Sequence, residues 1–173
     1  NLNSLPSTVS FIKINSCNLR SVGDLSSLPK ELQVAYLADN NIVGPLNLSN
    51  LPRDFRFLDV SNSKYSGPLD FEHLPKRMCR LDVQYNQLSG ELNLTQFPRT
   101  LEGFFATGNR FSGPLDFSNL PNDIEAIFLE KNAIRGSVDL RGIPTGVRGV
   151  TLDHNDIDEL LLPLDLLLYT NLR

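Results

Sequence analysis

A Leu-Pro step, or a close variant of it, returns every 23 residues: Leu5-Pro6, Leu28-Pro29, Leu51-Pro52, Leu74-Pro75, Phe97-Pro98, Leu120-Pro121 and Ile143-Pro144. Behind each comes a run with apolar residues and an asparagine at fixed offsets. It is clearest at Met78, Leu81, Val83, Asn86, Leu88 and again at Ile124, Ile127, Leu129, Asn132, Ile134. Self-similarity at this period means one supersecondary unit stacked many times. Seven units run 5–27, 28–50, 51–73, 74–96, 97–119, 120–142 and 143–165, within a single domain over 1–173. The second unit offers Leu28, Leu32, Ala35, Leu37, Ile42, Leu46 and Leu48. So few apolar side chains cannot offset the ordering entropy of one unit, and neighbours must stack into a shared core.

Within each unit the L-x-L alternation has period two, which turns Ala35 and Leu37 inward and Tyr36 outward on a short strand. Strands stacked at one pitch form a parallel sheet with neighbours about 4.8 Å apart. The asparagine that follows (Asn40, Asn86, Asn109, Asn132, Asn155) is placed to bond loop backbone groups that would otherwise lack partners. Cys17 and Ser63 replace it in two units, where this ladder should weaken. Gly44, Gly67, Gly90, Gly113 and Gly136 mark a return turn that needs positive φ or a close backbone approach.

These residues carry a resemblance to the leucine-rich repeat superfamily that covers nearly the whole chain. The unit approximates L-P-x-x-L-x-x-L-x-L-x-x-N-x-x-S-G-P-L-D-L-S-N, and its S-G-P-L-D segment looks like repeats common in proteins of unicellular eukaryotes. Plant receptor repeats are similar in the N-x-L-x-G portion but typically one residue longer. The resemblance implies an arc-shaped α/β-type repeat solenoid with a parallel β-sheet on its concave side. The Leu-Pro and Gly-Pro signals leave no room for long helices, so the convex side is expected to be irregular or built of short strands.

Both end units depart from the pattern. Ser21 and Gly23 stand where Gly and Leu are expected, and Glu159 replaces the last Gly. Over 160–172 nine of thirteen residues are apolar. The stretch about 158–173 reads as a short helical or irregular cap, or as a stub that continues into something further. Residue 1 is Asn and the only methionine is Met78, so the chain is expected to lack its initiation end. The absence of cysteine-rich caps favours an intracellular setting slightly, and a cell-surface or secreted protein fits nearly as well.

Little in the chain points to chemistry, and the expectation is a non-enzymatic scaffold without cofactor. No phosphate loop, nucleophile elbow or zinc spacing occurs. His73 and His154 lie more than three repeats apart. Cys17 and Cys79 fall in units one and four, about 14 Å apart by strand spacing, beyond the ~7 Å a disulfide spans. Cys17 reads as a buried turn residue and Cys79 as a partly covered thiol. Sixteen basic against twenty acidic residues leave a net charge of −4 and no basic stripe, which argues against nucleic acid. No apolar run approaches the ~20 residues of a membrane-spanning helix.

Recognition chemistry instead falls on the outward strand positions, which repetition lines into columns. The central column reads Lys13, Tyr36, Asp59, Asp82, Phe105, Phe128, Thr151, and the next Asn15, Ala38, Ser61, Gln84, Thr107, Glu130, Asp153. Flanking columns bring Phe11, Val34, Phe57 and Arg80, then Asp39, Asn62, Tyr85, Lys131 and His154. Aromatics are 8% of the chain yet fill three of seven places in the central column. Rigidly displayed aromatics serve as interface anchors, or they pack across the sheet face. The candidate ligand-binding set is Tyr36, Asp59, Asp82, Tyr85, Phe105, Phe128 and Glu130, for an unidentified protein partner. The alternative is a structural or coat role with no specific ligand. Asp59 and Asp82 are adjacent like charges that Arg56 and Arg80 can offset; a basic partner side chain or a metal are the other readings. Two glycosylation sequons, Asn47-Leu-Ser49 and Asn93-Leu-Thr95, fall at equivalent places on the expected convex side, where the repeat itself already favours Asp or Asn.

Overall fold

The computed structural model describes residues 2–22, 25 and 28–162, and they form a two-sheet parallel solenoid with almost no helix. Strands are numbered in chain order. The first sheet stacks β1 (Phe11–Lys13), β2 (Val34–Tyr36), β4 (Phe57–Asp59), β6 (Arg80–Asp82), β8 (Gly103–Phe105), β10 (Ala126–Phe128) and β12 (Gly149–Thr151). Every neighbouring pair is parallel, and lateral partners are 23 residues apart: Tyr36 beside Asp59, Asp59 beside Asp82, Asp82 beside Phe105. The period read from the Leu-Pro steps is therefore the pitch of the sheet.

A second parallel sheet of six strands runs along the other side: β3 (Val43–Pro45), β5 (Lys64–Gly67), β7 (Gln87–Glu91), β9 (Arg110–Gly113), β11 (Ala133–Asp139) and β13 (Asp156–Leu161). Its register differs. Val43 pairs with Lys64, Ser66 with Gln87 and Ser89 with Arg110, offsets of 21 rather than 23. The slip of two keeps inward residues on the inward side, because side chains alternate with period two. It also sets each return-turn glycine beside the large apolar residue of the next coil, as with Gly67 and Leu88 or Gly90 and Phe111.

Between the two sheets lies one continuous core. Ala35, Leu37, Leu58, Leu81, Phe104, Ile127 and Leu129 enter it from the first sheet, and Ile42, Tyr65, Leu88, Phe111 and Ile134 from the second. Phe71, Phe97 and Phe104 pack edge to face with centroids 5.1–5.6 Å apart. Turns take the place a helix would occupy. In all seven coils the Leu-Pro proline carbonyl accepts the amide three residues on, from Val9, Leu32, Phe55, Met78, Leu101, Ile124 and Val147.

The asparagine ladder ties the two sheets together. Asn86 Nδ2 donates to Val60 O, Val83 O and Gln84 O at 3.0–3.1 Å, while its Oδ1 accepts Tyr65 N at 3.0 Å. Asn109, Asn132 and Asn155 repeat those four offsets. Asn40 makes the equivalent bonds and also accepts Cys17 N. At the Ser63 position the hydroxyl reaches only Asn40 O, at 3.3 Å. Just before each ladder residue the backbone turns left-handed, at Ser16, Asp39, Asn62, Tyr85, Gly108, Lys131 and His154. The five return-turn glycines also have positive φ, and at Gly44 and Gly67 an added Cβ would meet nothing, so conformation rather than crowding requires glycine there.

Both cysteines are free, with exposures opposite to those expected. Cys17 is exposed because it takes a ladder place its short side chain cannot fill. Cys79 is buried because it lies one residue before β6, with its backbone paired to Arg56 and Gly103 and its Sγ under Arg56 Nη2 at 3.7 Å. The cap expected over about 158–173 lies largely outside the described residues. Of its described part, 158–162, residues 158–161 belong to β13. No helix among the described residues is long and apolar enough to cross a membrane.

Candidate functional site

Outward residues of the first sheet form a surface on which the repeat varies its chemistry without touching the core. Because lateral partners are 23 apart, Lys13, Tyr36, Asp59, Asp82, Phe105, Phe128 and Thr151 stand side by side on consecutive strands. Tyr36, Asp59, Phe105, Phe128 and Glu130 are half-buried, Tyr85 is exposed and Asp82 is buried.

The aromatic residues gather in two groups. Near the amino-terminal end Phe11, 54% exposed, lies with its ring centroid 5.9 Å from that of Tyr36. Further along, Phe105 and Phe128 meet edge to face at 5.1 Å. These two rings lie close against the sheet because Gly103 and Gly149 leave room: a Cβ on Gly103 would come within 2.6 Å of the Phe105 ring, and one on Gly149 within 3.2 Å of Phe128. Tyr85, in a left-handed backbone conformation, lays its ring over Gly108 of the next coil.

Between the aromatic groups stand Asp59 and Asp82. Arg80 Nη2 is 3.2 Å from Asp82 Oδ2, and its guanidinium carbon sits 4.1 Å from the Phe105 centroid, so one cation serves both neighbours. Gln84 Nε2 covers the same carboxylate at 3.0 Å. Burial raises the Asp82 carboxyl above its ordinary value, and the Asp59 charge adds to that. Asp59 Oδ1 accepts both the amide and the hydroxyl of Ser61. Arg56, the other residue expected to offset this acidic pair, turns instead toward Cys79 Sγ and the Phe57 ring. It lies one residue before its strand, where Arg80 is the first residue of its own, so the two do not share a column.

Glu130, in the next column, accepts Thr107 Oγ1 at 2.5 Å. Burial is the largest single influence and pushes its carboxyl up, but the lowering contacts together, the Thr107 hydroxyl first among them and the Lys131 charge included, hold it below the ordinary value. Phe11 and Arg80 are the site residues that parity placed correctly but that counting the central column alone passes over.

On the opposite side, Asn47 and Asn93 are exposed, and their Oδ1 atoms accept the Ser49 and Thr95 hydroxyls at 2.7 and 2.6 Å. Asp70, Asp116 and Asp139 occupy the same repeat position, each accepting the amide two residues on. The position is thus a local turn-former in every coil that has it. At Asp139 the bonds from Arg141 hold the carboxyl down at about 2.

No protein-family model matches the sequence, and no curated protein matches it either. Solved structures do. The crystal structure of a pollen receptor kinase 3 superposes with a TM-score of 0.65 at 22% identity, over 95% of this chain and 78% of that one. The leucine-rich repeat ectodomain of GASSHO1/SCHENGEN3, a plant membrane receptor kinase from Arabidopsis thaliana, gives 0.66 at 22% identity, over 76% of this chain and 16% of its own. A plant ice-binding protein gives 0.52 at 20% identity, over 76% and 59%. The architecture is that of a leucine-rich repeat solenoid. Within that class, proteins that bind peptides and one that binds ice share the fold, so the fold leaves the ligand to be argued from the face.

Proposed function

We propose that this chain is a recognition scaffold that binds another protein through the outward face of the seven-stranded sheet. One observation carries the reading: three aromatic residues and an acidic pair lie in a single registered column on a rigid sheet, with Phe11 beside the first of them. A binding surface gains most from large side chains whose positions are fixed before the partner arrives. Here the strands fix them, and glycines at 103 and 149 leave the space that the Phe105 and Phe128 rings occupy. Solved relatives of this fold support the reading, since GASSHO1/SCHENGEN3, RGFR1 and HAESA are each described in complex with a peptide or protein ligand. In this proposal the chain does no catalysis and takes no cofactor.

Interactor capture by the purified chain tests it. The Phe105→Ser, Phe128→Ser double variant should lose captured partners at least a hundredfold, because buried aromatic anchors typically carry about 2 kcal/mol or more each. Unchanged capture would remove the face from consideration and leave a spacer or coat role.

A further inference from the structure

The spacing of the central column selects among the protein segments such a face can take, an inference that rests on the binding role proposed above. Tyr36, Asp59, Asp82 and Phe105 stand on consecutive strands, so three strand spacings of about 4.8 Å separate the first from the last, about 14 Å in all. An extended chain rises about 3.4 Å per residue and sends alternate side chains to the same side. Its residues i, i+2 and i+4 therefore present three side chains to the sheet over about 14 Å, and the lengths coincide. A segment laid across the strands with residue i over Tyr36 and i+4 over Phe105 places i+2 midway, between Asp59 and Asp82.

The chemistry at those three places differs. At the first, exposed Phe11 and half-buried Tyr36 form an aromatic pair. At the third, Phe105 and Phe128 form another. In the middle two carboxylates stand side by side and only one has a cation: Arg80 is committed to Asp82 and to the Phe105 ring. Asp59 engages Ser61 through Oδ1 alone, and among the described residues its Oδ2 has no hydrogen-bond partner and no ion pair. A basic side chain arriving at i+2 supplies the missing cation, and an acidic one meets the uncompensated charge of Asp59. We infer that the partner segment is an extended peptide crossing the strands, with Lys or Arg flanked two positions away on each side by large apolar residues.

A random twelve-residue peptide library displayed on phage and panned against the whole chain tests this. The enriched peptides should share a basic residue with apolar residues at −2 and +2, and binding should fail on the Phe105→Ser, Phe128→Ser variant. In a synthetic copy of the strongest binder, replacing the basic residue by Glu, or moving it one position, should weaken binding at least about tenfold, the scale of one charge-assisted contact. Asp59→Lys should reverse the preference, so that the Glu peptide binds better. Asp59→Asn, which keeps an oxygen for Ser61, should weaken the basic peptide alone and guards against a misfolded lysine variant. Enriched peptides that need Phe105 and Phe128 but share no basic residue at that spacing would overturn this inference and leave the face as a binding surface. Peptides indifferent to the double variant, or no enrichment at all, would overturn both.

Discussion

Asn86→Ala separates a ladder that holds the solenoid together from one that merely decorates it. Wild-type Asn86 makes four bonds, and losing them has unequal consequences. Val83 O keeps a partner in Asn109 Nδ2 at 2.9 Å, and Gln84 O keeps the Asn62 amide at 2.9 Å. Val60 O and the Tyr65 amide lose theirs, in a buried seam between coils. Each buried group left unmade costs about 1–3 kcal/mol, so the substitution should cost about 2–6 kcal/mol. Asn155→Ala breaks the same four offsets in the last described ladder position, where the residue is half-exposed and water can replace what is lost. Its cost should be at most about half as large. Urea unfolding followed by far-ultraviolet circular dichroism measures both. An Asn86→Ala midpoint equal to wild type at an unchanged slope would refute the reasoning, as would equal losses at the two positions.

Other consequences follow from the same contacts. Ser63→Asn puts the absent amide within the offsets used elsewhere, reaching the Ile42 amide, so its urea midpoint should equal or exceed wild type, by up to about 1 kcal/mol. The Phe105→Ser, Phe128→Ser variant should melt within about 1 kcal/mol per site of wild type, whereas Leu129→Ser, which is fully buried, should lose about 3 kcal/mol or more to cavity and unpaired hydroxyl. Tyr65 has a buried hydroxyl without a partner among the described residues, and burial pushes its pKa up to about 12. Tyr65→Phe should therefore be neutral or stabilising by about 1–2 kcal/mol in a thermal melt, and clear destabilisation would show that the hydroxyl is satisfied. The folded chain holds the Asp82 proton more tightly than the unfolded one, so ionised Asp82 subtracts stability once pH rises past the ordinary aspartate value of about 3.9. Asp82→Asn should melt above wild type at about pH 7 and level with it at about pH 3; the reverse order would show that the Arg80 pair outweighs burial.

The 23-residue pitch, the inward and outward parity and the bonding role of the asparagines were legible because each follows from a residue type recurring at one offset. What stayed hidden depends on backbone conformation or on long side chains. The left-handed residue before each ladder position is Ser16, Asp39, Asn62, Tyr85, Gly108, Lys131 or His154, a set whose only shared trait is that none is β-branched. Tyr85 and Lys131 conceal the pattern, since neither type marks a turn. The Leu-Pro and Gly-Pro signals imply an irregular or short-strand convex side, and the strands found there are short. That they pair into one second sheet is concealed, since segments such as Lys64-Tyr65-Ser66-Gly67 mix turn formers with strand formers. Stacking supplies their pairing, at an offset of 21 that no residue pattern advertises. Parity also placed Asp82 outward, and its strand does aim it that way. Arg80 and Gln84 then fold over it and bury it, which alternation cannot foresee.

Inward and outward positions of the same strands answer to different constraints, and this separates stability from recognition along the chain. The middle residue of each first-sheet strand is Ile12, Ala35, Leu58, Leu81, Phe104, Ile127 or Val150, varying in size but never in polarity. One residue further, Lys13, Tyr36, Asp59, Asp82, Phe105, Phe128 and Thr151 span cation, acid, aromatic and hydroxyl. A stack whose strength is summed over inward contacts tolerates any outward residue that does not disturb the pairing. Even the like-charged neighbours Asp59 and Asp82 are accommodated, one by Arg80 and Gln84, the other by Ser61. The asparagine ladder works at the boundary between these two regimes, bonding carbonyls at the end of one sheet and an amide at the start of the other. Changes to the face should therefore alter what is bound before they alter whether the chain folds, and changes one residue along should do the opposite.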